Sequence, residues 1–127
     1  MDESATGAAT IMRFLEAGER RDAETLRELA ADDFTMTWPQ SGERFRGRDN
    51  AFAALAVQDD FPEPAGEPRI VGDGSVWVVQ IPLRYAKEGL IHYVGVFELH
   101  DGRVRASTEY FAAPFPPKEA RAAYAER

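Results

Sequence analysis

The chain is 127 residues long, which is the length of one ordinary domain, and hydrophobic residues make up 44% of it. It contains no cysteine, which excludes disulfides, thiolate metal sites and cysteine nucleophiles and is typical of a reducing cytoplasm. The formal net charge of −7 has the wrong sign for binding nucleic acid or an acidic membrane. We therefore expect a single cytoplasmic domain, residues 1–127, that binds neither nucleic acid nor a membrane.

The first residues carry no basic segment followed by an apolar run, so we expect no secretory signal. The chain begins instead with a helical pattern. Apolar residues recur at three- and four-residue spacing between Thr6 and Glu19 and form one stripe, with Phe14 beside it. Asp22 is suited to cap a second short helix. The sequence therefore predicts two consecutive helices at the start of the domain.

The pattern then changes to strands, with one helix between them. Apolar and polar residues alternate over Phe34–Trp38, which predicts a strand, and a third helix is predicted to begin near Arg48 or Asp49. From Arg69 onward the period is two, and hairpin turns separate the predicted strands. A short helix over Lys118–Glu126 ends the chain. The four long predicted strands are Arg69–Val71, Val76–Tyr85, Leu90–His100 and Arg103–Ala112. Helices followed by antiparallel strands indicate an α+β fold.

Several kinds of catalytic site are excluded by spacing. The two histidines, His92 and His100, lie on one predicted strand, and eight residues at about 3.3 Å each place them roughly 26 Å apart, too far to share a metal ion. No glycine-rich phosphate loop opens a helix, and no serine lies in a nucleophile elbow. We therefore predict neither a metal site nor a cofactor.

The two faces of the strand that contains His92 are both largely apolar. Tyr93 and Phe97 share one face, whereas His92, Val94 and Val96 share the other. This pattern predicts that helices cover the first face and that a second subunit covers the other, in a homodimer. His92 is then expected at the dimer face. The alternative is a strand bulge that rotates His92 inward beside Glu109.

The last predicted strand is ambiguous because both of its faces carry polar residues. By pattern alone Val104, Ala106, Thr108 and Tyr110 look buried, and Glu109 is then a surface carboxylate. If Glu109 instead points into an apolar cavity, burial raises its pKa toward neutrality and suits it for general acid–base catalysis.

Three segments of the chain resemble the nuclear-transport-factor-2-like superfamily, and within it the SnoaL-like group. Together they cover about half of the sequence. They are IMRFLEAGERRDAETLRELAADDFTMTWP (Ile11–Pro39), GERFRGRDNAFAAL (Gly42–Leu55) and VGVFELHDGRVRASTEYFAAPF (Val94–Phe115). The resemblance implies a cone in which a curved antiparallel sheet wraps over three N-terminal helices and encloses an apolar pocket. It also implies that the row Ser107, Glu109 and Phe111 lines that pocket, and it favours dimerisation through the outer face of the sheet.

The resemblance leaves the activity open, because members of this superfamily include isomerases, polyketide cyclases, hydratases, epoxide hydrolases and inert binding proteins. In the related ketosteroid isomerases an aspartate base, a tyrosine and a protonated aspartate act together. These positions fall here on Trp38, Phe14 and Tyr93, so the base is missing and only Tyr93 offers a hydroxyl donor. The aspartate–arginine–aspartate set of limonene-epoxide-hydrolase-like members is not evident either.

We therefore expect a pocket for a small apolar cyclic or aromatic metabolite. If the protein is an enzyme, it is a cofactor-independent isomerase or cyclase, or a hydratase or hydrolase, in which Glu109 transfers the proton and Tyr93 donates a hydrogen bond to the developing oxyanion. The alternative is a non-catalytic dimeric binding or accessory module in which Arg84 or Arg105 neutralises Glu109. The predicted pocket wall consists of Phe14, Trp38, Leu83, Tyr85, Tyr93, Glu109 and Phe111.

Overall fold

A computed structural model of the chain describes residues 3–127, with side chains from residue 6 onward. Residues 1 and 2 of the predicted domain lie outside the described residues. The helices are α1 (Glu3–Glu19), α2 (Ala23–Leu29) and α3 (Arg48–Ala56). The strands are β1 (Ala30–Trp38), β2 (Glu43–Arg46), β3 (Glu63–Pro64), β4 (Arg69–Asp73), β5 (Val76–Tyr85), β6 (Gly89–His100) and β7 (Arg103–Ala112).

The strands form one curved, unclosed sheet, and the predicted α+β cone is confirmed. Its order is β2-β1-β7-β6-β5-β3, with β4 also paired to β5. Neighbouring strands are antiparallel except β1 and β7, which run parallel although they are far apart in sequence. Hairpin signals cannot predict such a pairing, because the two strands are not joined by a turn.

The helices end and pack as local chemistry dictates. The Asp22 carboxylate caps α2, accepting hydrogen bonds from the Thr25 backbone N–H at 3.2 Å and hydroxyl at 2.7 Å, and these bonds lower the pKa of Asp22. Gly7 lets α1 approach the sheet, since a Cβ there would stand 2.7 Å from the Trp77 indole. The predicted C-terminal helix is instead an exposed 3₁₀ helix over Glu119–Tyr124.

The hydrophobic core lies between the helices and one face of the sheet. Four phenylalanines from α1, β1, α3 and β6 contact one another there, with ring centroids between 5.7 and 6.4 Å apart. They are Phe14, Phe34, Phe52 and Phe97. Ile11 and Ala51 bring the helices onto Val79 of β5 with no exposed surface.

A β-bulge in β7 overturns the alternation read from its sequence. Leu99 pairs with Val104, but the preceding residue Glu98 pairs with Ala106, so β7 carries one extra residue at Arg105. The alternation switches there. Val104 is buried as expected, whereas Ser107 is buried and Tyr110 is 40% exposed, contrary to the pattern. The face that carries Ser107 therefore points inward, as the family resemblance implied.

The outer face of β6 is open in the single chain. Val94 and Val96 are half-buried, and His92 is exposed. Across the ladder Val94 pairs with Tyr110 and Val96 with Thr108, which extends the same face onto β7. Among the helices of the described residues, none has the length and apolar character needed to cross a membrane.

Candidate functional site

A cavity of about 510 Å³ lies between the inner face of the sheet, the helices and the loop that follows α3. Its wall is mostly aromatic and aliphatic. All seven residues predicted for the pocket lie on this wall: Phe14, Trp38, Leu83, Tyr85, Tyr93, Glu109 and Phe111. The volume is in the range of cavities that hold small organic molecules.

Glu109 is the centre of the polar part of this wall. The indole Nε1–H of Trp38 donates to its Oε1 at 2.9 Å, and the hydroxyl of Tyr93 donates to its Oε2. The Phe111 ring contacts the rings of both Trp38 and Tyr93, with centroid distances of 5.7 Å and 5.4 Å. Both oxygens of one carboxylate are thus held by donors that are themselves packed in place.

Two opposing effects set the protonation of Glu109. Burial among aromatic rings raises its pKa because the carboxylate loses hydration, and this effect is the larger. The hydrogen bonds from Tyr93 and Trp38 lower the pKa because they stabilise the ionised form. The net shift is upward, which is the direction that makes a carboxylate a stronger base.

Gly95 makes the contact between Tyr93 and Glu109 possible. Gly95 on β6 pairs directly with Glu109 on β7. A Cβ at position 95 would stand 2.5 Å from the Tyr93 hydroxyl oxygen and 2.6 Å from the Phe97 ring. The Tyr93 ring therefore lies along the strand over Gly95, and its hydroxyl reaches the carboxylate on the neighbouring strand.

Tyr85 is the second phenol on the wall, and its environment differs. It lies at the end of β5 and is half-buried, and among the described residues no group hydrogen-bonds to its hydroxyl. Burial, and then the negative charges of Glu109, Asp60 and Glu88, raise the pKa of Tyr85 to about 12. Tyr85 therefore stays protonated at neutral pH.

The charged residues that line the cavity are all acidic. Besides Glu109 the lining includes Glu16, Glu19 and Glu67, which are exposed, and among its described residues there is no lysine, arginine or histidine. Arg21 stands near this region without lining it, with its guanidinium 4.0 Å from the centroid of the Phe61 ring. An anionic ligand would find no counter-ion in this wall.

The sequence did not identify the part of the wall that comes from the loop after α3. Gln58, Phe61, Pro62 and Pro68 line the cavity there. Their proline-rich composition indicates a loop but not which way its side chains point. Ser107 belongs to the row expected from the resemblance, and its hydroxyl is buried without a hydrogen-bond partner.

Other candidates lie away from Glu109. His92 is exposed and does not line the cavity, and the register shift lies between Glu98 and Leu99 and not beside His92. Arg105 pairs with Asp33 at 3.4 Å, and among the described residues no arginine is within ion-pair distance of Glu109. The described residues contain no cluster of three side chains suited to hold a metal ion.

The helices, the curved sheet and the cavity between them define a nuclear-transport-factor-2-like protein. Within that superfamily, a family model described as the SnoaL-like domain matches residues 11–107. The chain therefore belongs to the SnoaL-like family, as its sequence predicted.

Solved structures that are similar to this chain include proteins described with different activities and one of unknown function. An NTF-2-like protein of unknown function from Burkholderia xenovorans LB400 is 27% identical, with a TM-score of 0.83 over 97% of this chain and 95% of that one. A candidate ketosteroid isomerase from Kribbella flavida DSM 17836 is 22% identical, with a TM-score of 0.89 over 100% and 93%. An LEH-like epoxide hydrolase from M. tuberculosis is 23% identical, with a TM-score of 0.68 over 86% and 84%. No curated protein matches the chain. The likenesses to the Kribbella flavida and M. tuberculosis proteins are evidence of the fold alone.

Proposed function

We propose that the protein binds a small, uncharged cyclic or aromatic compound in the cavity and catalyses proton transfer on it without a cofactor. The observation that carries this proposal is Glu109, a carboxylate with a raised pKa held by two donors on an otherwise apolar wall. Such a group combines a fixed position with the basicity that proton abstraction requires. The description of a structural neighbour as a candidate ketosteroid isomerase is consistent with isomerase chemistry in this fold.

The proposed substrate is a ketone, and the reaction begins with removal of a proton from the carbon next to its carbonyl group. Glu109 accepts that proton, and the electron pair of the C–H bond moves through the adjacent carbon to the carbonyl oxygen. In a ketone with a carbon–carbon double bond beyond that carbon, return of the proton from Glu109 to the far end of the extended enolate shifts the double bond and gives an isomer. Attack of the enolate carbon on a second carbonyl group of the substrate closes a ring instead, as in a cyclase, and the alkoxide formed there takes the proton back from Glu109. Every atom and electron is supplied by the substrate and Glu109, so no cofactor is needed.

Tyr93 and Trp38 act on Glu109 in this proposal. Their hydrogen bonds favour the ionised carboxylate, which is the form that accepts a proton. Tyr93 has a single hydroxyl hydrogen, and it donates that hydrogen to Glu109. The prediction that Tyr93 also donates to the substrate oxyanion therefore requires this bond to break as Glu109 becomes neutral, and it stays a prediction.

A binding module without turnover is the second candidate. The observation that favours it is that both oxygens of Glu109 already accept hydrogen bonds from the wall, so the carboxylate is satisfied without a substrate. In such a module the cavity holds the same class of ligand, and Glu109 orients it. The Glu109→Gln substitution separates the enzyme from the binding module. The enzyme loses turnover and keeps ligand binding, whereas the module has no turnover to lose.

Thermal-shift measurements with two naphthalene compounds test the proposed ligand class. 2-Acetylnaphthalene is uncharged, whereas 2-naphthoate has a similar shape and is an anion at pH 8. We expect 2-acetylnaphthalene to stabilise the protein, by about 2.7 kcal/mol at a concentration one hundred times its Kd. We expect no stabilisation by 2-naphthoate, since the lining offers it only acidic residues. Equal binding of both compounds would contradict the proposed class, and so would binding of neither. A structure of the complex then places the ring.

A further inference from the structure

The two tyrosines of the cavity wall, Tyr93 and Tyr85, differ in the hydrogen bonds that their hydroxyl groups make. The hydroxyl of Tyr93 donates to Glu109, so its only hydrogen is engaged. The hydroxyl of Tyr85 donates to no protein atom among the described residues, although Tyr85 lines the same cavity. Tyr85 follows Ile81 and Leu83 on the inward-facing row of β5, and all three residues line the cavity. A ligand in the cavity therefore meets one free phenol and one that is occupied.

The surroundings of Tyr85 make it a donor and not an acid. Glu109 on the cavity side, Asp60 of the loop after α3, and Glu88 of the turn between β5 and β6 are the charges that act on it. All three are carboxylates, and they oppose loss of the phenolic proton. Asp60 is itself fixed, because its Oδ1 accepts a hydrogen bond from the Ala86 N–H at 3.3 Å. The proton thus remains on Tyr85, available to an acceptor that enters the cavity.

The position of Glu109 limits where the oxygen of a ligand can lie. A carbonyl oxygen is repelled by an ionised carboxylate, and Trp38 and Tyr93 already donate to that carboxylate. Ser107 has a free hydroxyl, but its oxygen is shielded from the cavity contents by its neighbours. Gln58 is the competing donor, since its side chain lines the cavity without a hydrogen bond of its own among the described residues. Tyr85 and Glu109 line the same cavity, so one small molecule can contact both.

We propose that Tyr85 donates a hydrogen bond to the carbonyl oxygen of the ligand and thereby selects uncharged cyclic ketones, turning their acidic C–H bonds toward Glu109. This inference rests on the proposed function for the location of the ligand and names the chemical class that the cavity prefers. Tyr85 is then a specificity-determining residue that contacts the ligand, whereas Tyr93 is a positioning residue that acts through Glu109.

Two probes with the same ring skeleton test this inference. 1-Tetralone carries a carbonyl group and tetralin does not, so the change in affinity for each reports the donor separately from shape. For Y85F we expect the Kd of 1-tetralone to rise roughly fivefold, the loss of one neutral hydrogen bond, with the Kd of tetralin unchanged. For Y93F we expect both affinities to stay within about twofold of the wild type. Unchanged tetralin binding also establishes that Y85F is folded.

Three outcomes would overturn the inference. In Y85F, equal weakening for both probes assigns Tyr85 a purely steric role, and unchanged 1-tetralone binding assigns the donor to another residue, such as Gln58. Selective loss of 1-tetralone binding in Y93F assigns the hydrogen-bond donor to Tyr93.

Failure of the proposed function is detected by a separate measurement of base catalysis. The probe for base catalysis is 5-nitrobenzisoxazole: a base removes its ring C–H proton, the N–O bond breaks, a nitrile forms, and the oxygen leaves as a phenolate. If the protein does not convert 5-nitrobenzisoxazole, base catalysis by Glu109 is contradicted. The role of Tyr85 in binding is then still decided by the affinities of Y85F for the two probes.

Discussion

Glu109 is the residue on which the proposed chemistry depends, and the bulge in β7 turns it toward the cavity. The chemistry of a carboxylate in an apolar pocket follows from its type, and the direction of its pKa shift was predicted on the condition that it points inward. The alternation of β7 favoured the surface instead, because the bulge at Arg105 switches the alternation between Val104 and Ser107. An extra residue in a strand leaves no signature in hydrophobic periodicity. Only the family resemblance placed Glu109 on the inner face.

Removing the Tyr93 hydroxyl is expected to shift the pH dependence of proton transfer. The hydrogen bond from Tyr93 lowers the pKa of Glu109, so Y93F leaves the upward effect of burial less opposed and raises that pKa further. Because the ionised carboxylate is the base, activity appears as pH rises through the pKa, and the midpoint moves to higher pH in Y93F. The measurement is the pH–rate profile with 5-nitrobenzisoxazole.

Tyr110 provides the matched control for that substitution. It lies on the same strand as Glu109, but it is 40% exposed and does not line the cavity. Y110F therefore keeps the wild-type midpoint. A midpoint that stays fixed in Y93F, or moves to lower pH, would show that the Tyr93 hydrogen bond does not stabilise the ionised form.

Among the secondary-structure elements, β6 organises the site. Its alternation places Tyr93 and Phe97 inward, as the sequence predicted, and both are buried. The sequence also contains Gly95 between them, which reads as a weak point in a strand. The structure gives the physical reason for this glycine, since the Tyr93 ring occupies the space of the missing side chain.

Replacing Gly95 with alanine is therefore expected to displace Tyr93 from Glu109. A methyl group 2.5 Å from the Tyr93 oxygen and 2.6 Å from the Phe97 ring overpacks the strand, and such changes cost about 1–3 kcal/mol. The expected result is a melting temperature several degrees lower together with the raised pH midpoint of Y93F. Gly18→Ala is the control for an added methyl group on the cavity wall, because a Cβ there meets no atom within 4 Å beyond the nearby backbone of its own helix. A G95A protein with wild-type stability and pH profile would contradict this role.

At the scale of the whole molecule, the parallel pairing of β1 with β7 assembles the site. The pairs Met36–Ser107 and Thr37–Thr108 bring Trp38 beside Glu109, a contact across 71 residues of sequence. The helices, hairpins and buried faces could be predicted because they depend on local spacing. This pairing could not be predicted from local patterns, because it depends on how the curved sheet closes over the helices.

The outer face of the sheet carries the second prediction from the sequence, a homodimer. Val94, Val96 and Tyr110 form a continuous partly exposed surface there, and His92 lies at its edge. We propose that a second copy of the chain covers this surface. Light scattering at micromolar concentration is then expected to give twice the 14.1 kDa of one chain. A mass near that of the single chain would contradict the dimer.

The rate of 5-nitrobenzisoxazole ring opening by wild type, E109Q and E98Q tests most directly whether Glu109 transfers protons. Glutamine keeps the shape of Glu109 and can still pair with Trp38 and Tyr93, but it does not titrate. Glu98 is exposed on β6 and does not line the cavity, so E98Q is the matched control. We expect E98Q to keep the wild-type rate and E109Q to lose it by about 10²-fold or more, with 1-tetralone binding retained in both. An unchanged rate in E109Q would contradict proton transfer by Glu109 and leave the cavity as a binding site only.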